Sequence, residues 1–324
     1  MQSKKPVVVV TRKWPESVEA QLLELFDVEL NSADRAFTSS ELADSLQRAD
    51  ALCPTVTDRL DDALFEQPEP RAKLIANFGA GVDHIDLSAA RRAGLSVTNT
   101  PDVLTDATAE IAMALLLMSA RRTAQGERAV RRGAWHGWHP THMLSTQVTG
   151  KTLGLIGMGR IGSRFAHQAH HGFGMNIKYT SRSKVPDQRL SGLDATRVSL
   201  EQLLASCDFV SVHCPATAET RHLLDAARLD LMPKHAHLIN TARGPIVDEA
   251  ALATALSDGK IAGAGLDVYE QEPTVHPRLL DLDQVVLLPH MGSGALETRE
   301  AMGMKVVENL RAFFEGELPP DLLG

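Results

Sequence analysis

Cysteine is scarce. Cys53, Cys207 and Cys214 are the only three in 324 residues, and no two of them form a C-x-x-C pair. That excludes a disulfide-stapled secreted scaffold and a paired-cysteine metal or redox motif. The three read as reduced, buried thiols of a cytoplasmic protein. Long apolar runs are also missing. Lys4 and Lys5 precede only Val7 to Val10 before Thr11 and Arg12, which is too short for a signal-peptide core or a membrane span. Four valines suit a buried parallel strand instead. There is no Lys/Arg tract, and the formal charge is -8, so neither nucleic acid nor membrane is expected as a partner. Internal repeats and low-complexity segments are absent, and the length suits about two domains.

The stretch around which the chain is organised is Thr152 to Gly162. An apolar run, Leu153 to Ile156, meets Gly157, Gly159 and Gly162 in G-x-G-x-x-G spacing, and Ile161, Phe165 and Ala169 follow at helical spacing. The first glycine permits a tight turn, the second lets backbone approach a pyrophosphate, and the third lets helix pack on strand. The helix N-terminus offers free N–H groups and a positive dipole end to the phosphates. With 23 glycines in the chain the spacing alone is weak; strand before and helix after make it a dinucleotide site. About 20 residues on, an NAD site normally places an acid to bond the ribose hydroxyls. Here the strand-like run Asn176 to Thr180 ends in Ser181-Arg182-Ser183-Lys184. Two cations and two hydroxyls suit a 2′-phosphate, so NADP is expected over NAD.

Strand-like and helix-like segments alternate on both sides of this motif, which predicts an α/β chain with largely parallel sheets. In the first part, strands are expected at Val7–Val10, Val28–Leu30, Ala51–Cys53, Lys73–Phe78 and Leu95–Thr98. Helices are expected at Glu16–Phe26, after the capping pattern Thr38-Ser39-Ser40-Glu41, and at Ile85–Arg92. Asp106–Arg122 reads as a helix crossing between domains. Residues 131–148 read as an irregular loop carrying Trp135 and Trp138, a contact surface. Its His136, His139 and His142 have no acidic partner and are set aside as metal ligands, while His167, His170 and His171 read as packing or surface residues. Further strands are expected at Phe209–Val212, Ala236–Asn240, Gly263–Val268 and Val285–Leu288, with helices at Leu200–Leu204 and Glu249–Leu256. Ala295–Glu315 is a final helix returning to the first domain. The expected division is residues 1–100 plus 291–324 for a discontinuous substrate domain, and 101–290 for the dinucleotide domain.

Ligands of open α/β sheets sit beyond the carboxyl ends of strands. Three polar residues stand at such ends: Arg243, Glu272 and His290. Each alone is unremarkable. Together they match what hydride transfer to a carbonyl needs: a histidine to give a proton, a carboxylate to favour its imidazolium, and an arginine to polarise the oxygen and fork onto a carboxylate.

With these residues the chain resembles the D-2-hydroxyacid dehydrogenase family, and within it the glyoxylate/hydroxypyruvate reductases, from about Leu52 to Leu310. The resemblance is carried by Asn77-Phe78-Gly79-Ala80-Gly81-Val82-Asp83, Asn99-Thr100-Pro101, Gly157-Met158-Gly159-Arg160-Ile161-Gly162, Asn240-Thr241-Ala242-Arg243-Gly244, Gly265-Leu266-Asp267-Val268-Tyr269 with Glu272-Pro273, and Pro289-His290-Met291-Gly292-Ser293. It implies two Rossmann-like domains, a flavodoxin-like substrate domain and a doubly wound NAD(P)-binding domain, with a cleft between them, in a homodimer. It implies that Arg243 binds the 2-oxo acid, that Glu272 pairs with His290, and that His290 is the acid/base. Backbone N–H groups at Ala80, Gly81 and Val82 would hold the substrate carboxylate. The implied cofactor contacts are Gly157, Gly159, Arg160, Ile161, Gly162, Cys214, Pro215, Thr220, Thr241, Ala242, Arg243, Asp267, His290 and Gly292, beside the Ser181–Lys184 segment. Trp138 resembles a residue that reaches the partner's active site. Formate dehydrogenases carry glutamine where Glu272 stands and are set aside. A reductase of another 2-oxo acid, such as phenylpyruvate or pyruvate, stays open, as does a corepressor-like nucleotide sensor.

Overall fold

The computed structural model describes residues 4–66 and 70–324. They fall into two compact units, residues 1–104 with 293–324, and residues 105–292.

The first unit begins with β1 (Val7–Val10), α1 (Glu16–Leu25), β2 (Asp27–Leu30), α2 (Ser39–Arg48) and β3 (Ala51–Cys53). It continues with α3 (Asp62–Phe65), β4 (Leu74–Ala76), α4 (Leu87–Arg92) and β5 (Ser96–Thr98). The five strands are parallel in the order β2-β1-β3-β4-β5, a flavodoxin-like winding. The expected cap at Thr38 is present: its side chain accepts the Glu41 N–H, and the Glu41 carboxylate accepts the Thr38 N–H at 2.8 Å. The helix Leu296–Phe314 joins this unit. Its Gly303 lies so close to Val18 that a Cβ there would stand 2.6 Å from the valine methyls. Val8, Val10, Val18, Leu22, Met302, Val306 and Leu310 form one buried cluster there.

The second unit opens with α5 (Thr105–Arg121), which lies wholly within it. Gly263 and Gly265 let α5 lie flat on the sheet, since a Cβ on either would come 2.9 Å from Ser119 Oγ or Leu115 Cβ. Arg122 turns left-handed, with φ 53, and starts α6 (Thr123–Arg131). The sequence reading does not place α6, a short, strongly charged helix none of whose residues is buried. Residues 132–147 form no regular element and are largely exposed.

Next come β6 (Thr152–Ile156), α7 (Arg160–Phe173), β7 (Asn176–Thr180), α8 (Asp187–Leu190), β8 (Ala195–Arg197), α9 (Leu200–Ser206) and β9 (Phe209–Val212). The unit closes with α10 (Ala226–Leu229), β10 (His237–Asn240), α11 (Glu249–Ser257), β11 (Gly263–Leu266), α12 (Pro277–Leu280) and β12 (Val285–Leu287). Seven parallel strands run β12-β11-β10-β9-β6-β7-β8. The order reverses between β6 and β9, which is where a doubly wound sheet binds its ligand. The expected α/β class with two Rossmann-type domains holds. The strands stop one or two residues before the expected Val268 and Leu288 because the chain turns away there to build the site. The four-residue helices and β8 escaped the reading because so few residues hold no measurable period. Among the described residues no helix is long and apolar enough to cross a membrane.

Candidate active site

The glycine loop leaves β6 through Gly157, whose φ of 100 belongs to the left-handed region. A Cβ there would stand 2.7 Å from the His213 carbonyl carbon and 2.8 Å from the Cys214 nitrogen, so β6 can turn this tightly against β9 only with glycine. A Cβ on Gly162 would overlap the Gly157 oxygen, which draws α7 onto the strand. Gly159 is different: nothing lies within 4 Å of where its Cβ would be. It caps α7 with no side-chain bond, so the first turn of α7 has no capping side chain on its N–H groups. Beyond β10, Thr241 Oγ1 is buried with no partner among the described residues. A glycine-capped N-terminus on a 14-residue helix, with no atom near the Cβ position of Gly159, fits a dinucleotide pyrophosphate.

At the end of β7, the Ser181 hydroxyl donates to the Ser183 carbonyl at 2.6 Å. Arg197 Nη2 donates to the Ser181 carbonyl at 2.6 Å, bringing a further cation that the sequence reading did not connect to this turn. Arg182, Ser183 and Lys184 are exposed. The charge of Arg182 acts on Cys214 and Glu219, which puts it beside the turn that follows β9. In that turn Thr220 Oγ1 accepts the Thr217 N–H at 2.7 Å and donates to the Pro215 carbonyl at 2.8 Å. Its hydroxyl is thus committed to the turn. Cys214 is only half-buried, unlike Cys53 and Cys207, which corrects the expectation of three buried thiols; burial still pushes it up to about 11.

Beyond β10, β11 and β12 the three polar candidates come together. Asn240 braces the Arg243 turn: its Oδ1 accepts the Ala242 N–H and its Nδ2 donates to the Arg243 carbonyl, each at 3.0 Å. His290 Nδ1 stands 2.7 Å from Glu272 Oε2, and Glu272 Oε1 accepts the Tyr269 N–H at 3.0 Å. Burial would raise the Glu272 pKa, but the hydrogen bond and charge of His290, the Tyr269 N–H and the charge of Arg243 hold it below its ordinary value. His290 sits in a left-handed turn with φ 55. Asp267, 1% exposed, shapes that turn. Its carbonyl accepts the His290 N–H at 2.9 Å, and its two carboxylate oxygens accept the N–H groups of Met291 and Gly292 at 2.6 and 2.7 Å.

In the first unit the loop after β4 is held from behind. Asn77 Nδ2 donates to the carbonyls of Gly79 and Gly81 at 2.9 and 3.1 Å, and Asn99 Nδ2 to that of Ala80 at 2.8 Å. With the carbonyls fixed, the N–H groups of Ala80, Gly81 and Val82 have no partner among the described residues. Successive backbone N–H groups without a protein partner are what a loop can offer an anion. Trp138 is 81% exposed and Trp135 52%.

The profile of the D-isomer specific 2-hydroxyacid dehydrogenase NAD-binding domain matches residues 113–292. A glyoxylate reductase of Thermococcus litoralis is 45% identical over 323 residues, covering 98% of this chain and 97% of that one. The chain belongs to the D-isomer-specific 2-hydroxyacid dehydrogenase family. Among solved structures, the NADPH-dependent glyoxylate/hydroxypyruvate reductase of Sinorhizobium meliloti, in complex with NADP and malonate, superposes with a TM-score of 0.87. It is 36% identical, covering 99% of this chain and 97% of that one. A glyoxylate reductase of Paecilomyes thermophila superposes with a TM-score of 0.86 at 34% identity, covering 98% of each chain.

The dehydrogenase is accordingly an NAD(P)-dependent oxidoreductase. Two of its supporting residues carry no sequence signal. His213 lies beneath the glycine loop, its Nε2 2.9 Å from Ser211 Oγ and its ring against Phe165. Burial pushes its pKa down to about 3, so a neutral ring underlies the glycine loop. Arg197 comes from a strand too short to predict. The roles of Asn77 and Asn99 could have been suspected, since an asparagine beside a glycine turn often bonds local backbone.

Proposed function

We propose that this dehydrogenase is an NADPH-preferring reductase that converts glyoxylate to glycolate and hydroxypyruvate to D-glycerate, working as a cytoplasmic homodimer. The 2.7 Å contact between His290 Nδ1 and Glu272 Oε2 carries the reading. It engages one ring nitrogen with a carboxylate and leaves the other, Nε2, to serve as proton donor.

The nicotinamide, when bound, supplies a hydride to the carbonyl carbon. Arg243 polarises the carbonyl oxygen and forks onto the acid, and the amides of Ala80, Gly81 and Val82 take the substrate carboxylate. His290 Nε2 gives its proton to the developing alkoxide, while Glu272 steadies the imidazolium and orients the ring. Gly157, Gly159, Arg160, Ile161 and Gly162 take the pyrophosphate. Thr241, Ala242, Asp267 and Gly292 border the nicotinamide end, and Cys214, Pro215 and Thr220 the adenosine.

The preference for NADPH rests on Ser181, Arg182, Ser183 and Lys184 standing where an NAD site would carry an acid, with Arg197 behind them. The substrate reading is supported by glyoxylate reductases at 45% identity over nearly the whole chain and by the NADP-bound relative. The exposed Trp135 and Trp138 supply a face for a second copy, and Trp138 could reach that copy's substrate.

Initial rates with NADPH and with NADH against glyoxylate, hydroxypyruvate, pyruvate and phenylpyruvate test all of this. Fast NADPH oxidation by the first two is expected. NADH preference would overturn the reading of residues 181–184 alone, and a faster rate on phenylpyruvate or pyruvate would move the substrate. No turnover on any acid would favour a nucleotide sensor.

A further inference from the structure

Glu249 is the first residue of α11 and only 6% exposed. A carboxylate in a helix's first turn ordinarily serves its own N-terminus, but here Asp248 already does so, its Oδ1 accepting the Ala251 N–H at 2.9 Å. Glu249 reaches another segment. Its Oε1 accepts the Glu270 N–H at 2.5 Å and its Oε2 the His276 N–H at 3.2 Å. Those two residues bound the loop from which Glu272 projects, and one carboxylate therefore pins both ends of that loop. Glu270 answers in kind: its Oε1 accepts the Glu249 N–H at 2.9 Å and its Oε2 lies 2.8 Å from His222 Nε2. Between the two ends, Gln271 and Thr274 pair across the loop at 2.8 Å. Burial raises the Glu249 pKa, opposed by the N–H groups of Glu270 and His276. Such a buried acceptor persists because both its oxygens are bonded.

We propose that Glu249 is a positioning residue for the hydride-transfer reaction: by clamping residues 270 and 276 it aims Glu272 at His290. This rests on the reading of Glu272 and His290 given above. The path is short. Glu270 N–H, fixed by Glu249, belongs to the peptide that follows Tyr269, and Tyr269 N–H holds Glu272 Oε1. The groups around Glu249 are Glu270, His276, His222 and Asp248; those acting on Glu272 are His290, Arg243 and Tyr269 N–H. Loosening the loop frees Glu272 from His290 while the glycine loop and the residue 181–184 turn, which make no contact with Glu249, stay as they are.

The test is a double-mutant cycle on the full chain with Glu249→Gln, Glu272→Gln and both together. Gln keeps one acceptor and the side-chain volume but sets an NH2 against a backbone donor. Glu249→Gln is expected to lower kcat for glyoxylate roughly tenfold, in the range a small misplacement of a reacting group costs, with NADPH binding, read by fluorescence, unchanged. In the Glu272→Gln background the same change is expected to cost nothing further. An equal loss in both backgrounds, or no loss in either, overturns the proposal. So does failure of both Glu249→Gln and Glu249→Asp to fold, since Glu249 would then hold up the domain rather than aim a side chain. A readout without turnover separates this from the functional reading. The low-field proton resonance of the His290–Glu272 hydrogen bond, absent in Glu272→Gln, is expected to be weakened or lost in Glu249→Gln. If wild type turns over no acid, the functional reading fails, while an unaltered resonance in Glu249→Gln refutes the clamp by itself.

Discussion

His290 Nδ1 stands 2.7 Å from Glu272 Oε2, and the other oxygen of Glu272 accepts the Tyr269 N–H at 3.0 Å. Both oxygens of one carboxylate are therefore engaged, one by a ring and one by backbone. The imidazole is steered from a residue 18 positions earlier in the chain. The His290 backbone is fixed independently, because Asp267 holds the N–H groups of residues 290, 291 and 292. Side chain and main chain of the same histidine thus have separate anchors.

Replacing His290 by Ala removes the proton donor and leaves the glycine loop untouched. The expected loss in kcat is about 10²–10⁴-fold, the usual worth of a positioned general acid. NADPH affinity, measured by fluorescence titration, should stay within a few-fold. Turnover near the wild-type rate would refute the assignment of His290.

Glu272 is held below its ordinary value of 4.5, burial notwithstanding, by His290, Tyr269 N–H and Arg243. For a carboxylate with a depressed folded pKa, the stabilisation is present above the unfolded value and is lost as pH falls through the folded one. The Tm difference between wild type and Glu272→Gln should therefore be full above about pH 4.5 and close on further acidification. Thermal melts between neutral pH and the acid limit of solubility check this. A difference that widens toward acid would show that Glu272 is not held ionised by its neighbours.

Much of the fold was legible because parallel strands buried on both faces read as short apolar runs, as in Val7–Val10 and Leu153–Ile156, and because Gly157, Gly159 and Gly162 have separate steric tasks. The strand-end positions of Arg243, Glu272 and His290 followed from the βα alternation. What escaped lies where local pattern is uninformative. α6 buries no side chain, and its few apolar residues among charged ones make a short helix easy to pass over. Glu249 reads as an ordinary first-turn acid, since its partners at residues 270 and 276 are defined only by how the chain folds back. The pairing of Arg197 with the Ser181 carbonyl crosses from β7 to β8, and no local signal links those positions.

The cations at residues 182, 184 and 197 are expected to select the cofactor. Arg182→Ala should raise KM for NADPH about tenfold, near the 1.4 kcal/mol that a tenfold change represents, and leave KM for NADH unchanged. Ser181→Asp should go further and shift the preference toward NADH by restoring the carboxylate that bonds ribose hydroxyls. Steady-state kinetics with both cofactors decide it. Parallel loss with NADPH and NADH would place these residues away from the 2′-position.

Two glycines should respond to alanine in opposite directions. A Cβ on Gly244 would overlap the carbonyl carbon and oxygen of Tyr269 and the nitrogen of Glu270, all backbone atoms that no rotamer change can move aside. That peptide gives its N–H to Glu249, and the Tyr269 N–H just before it bonds Glu272, so Gly244→Ala strains the turn after Arg243 and pushes the Glu272 loop outward together. A cost of about 1–3 kcal/mol is expected for such overpacking, with a lower Tm and a lower kcat. Gly172 lies in α7, exposed, with nothing within 4 Å of its Cβ position. There alanine reduces the freedom of the unfolded chain and favours helix, so Gly172→Ala should raise stability by up to about 1 kcal/mol with kcat unchanged. Calorimetric melts and glyoxylate kinetics on the two variants read both effects. If Gly244→Ala keeps wild-type Tm and kcat, the close approach of residue 244 to the Tyr269–Glu270 peptide is not what holds the Glu272 loop in place.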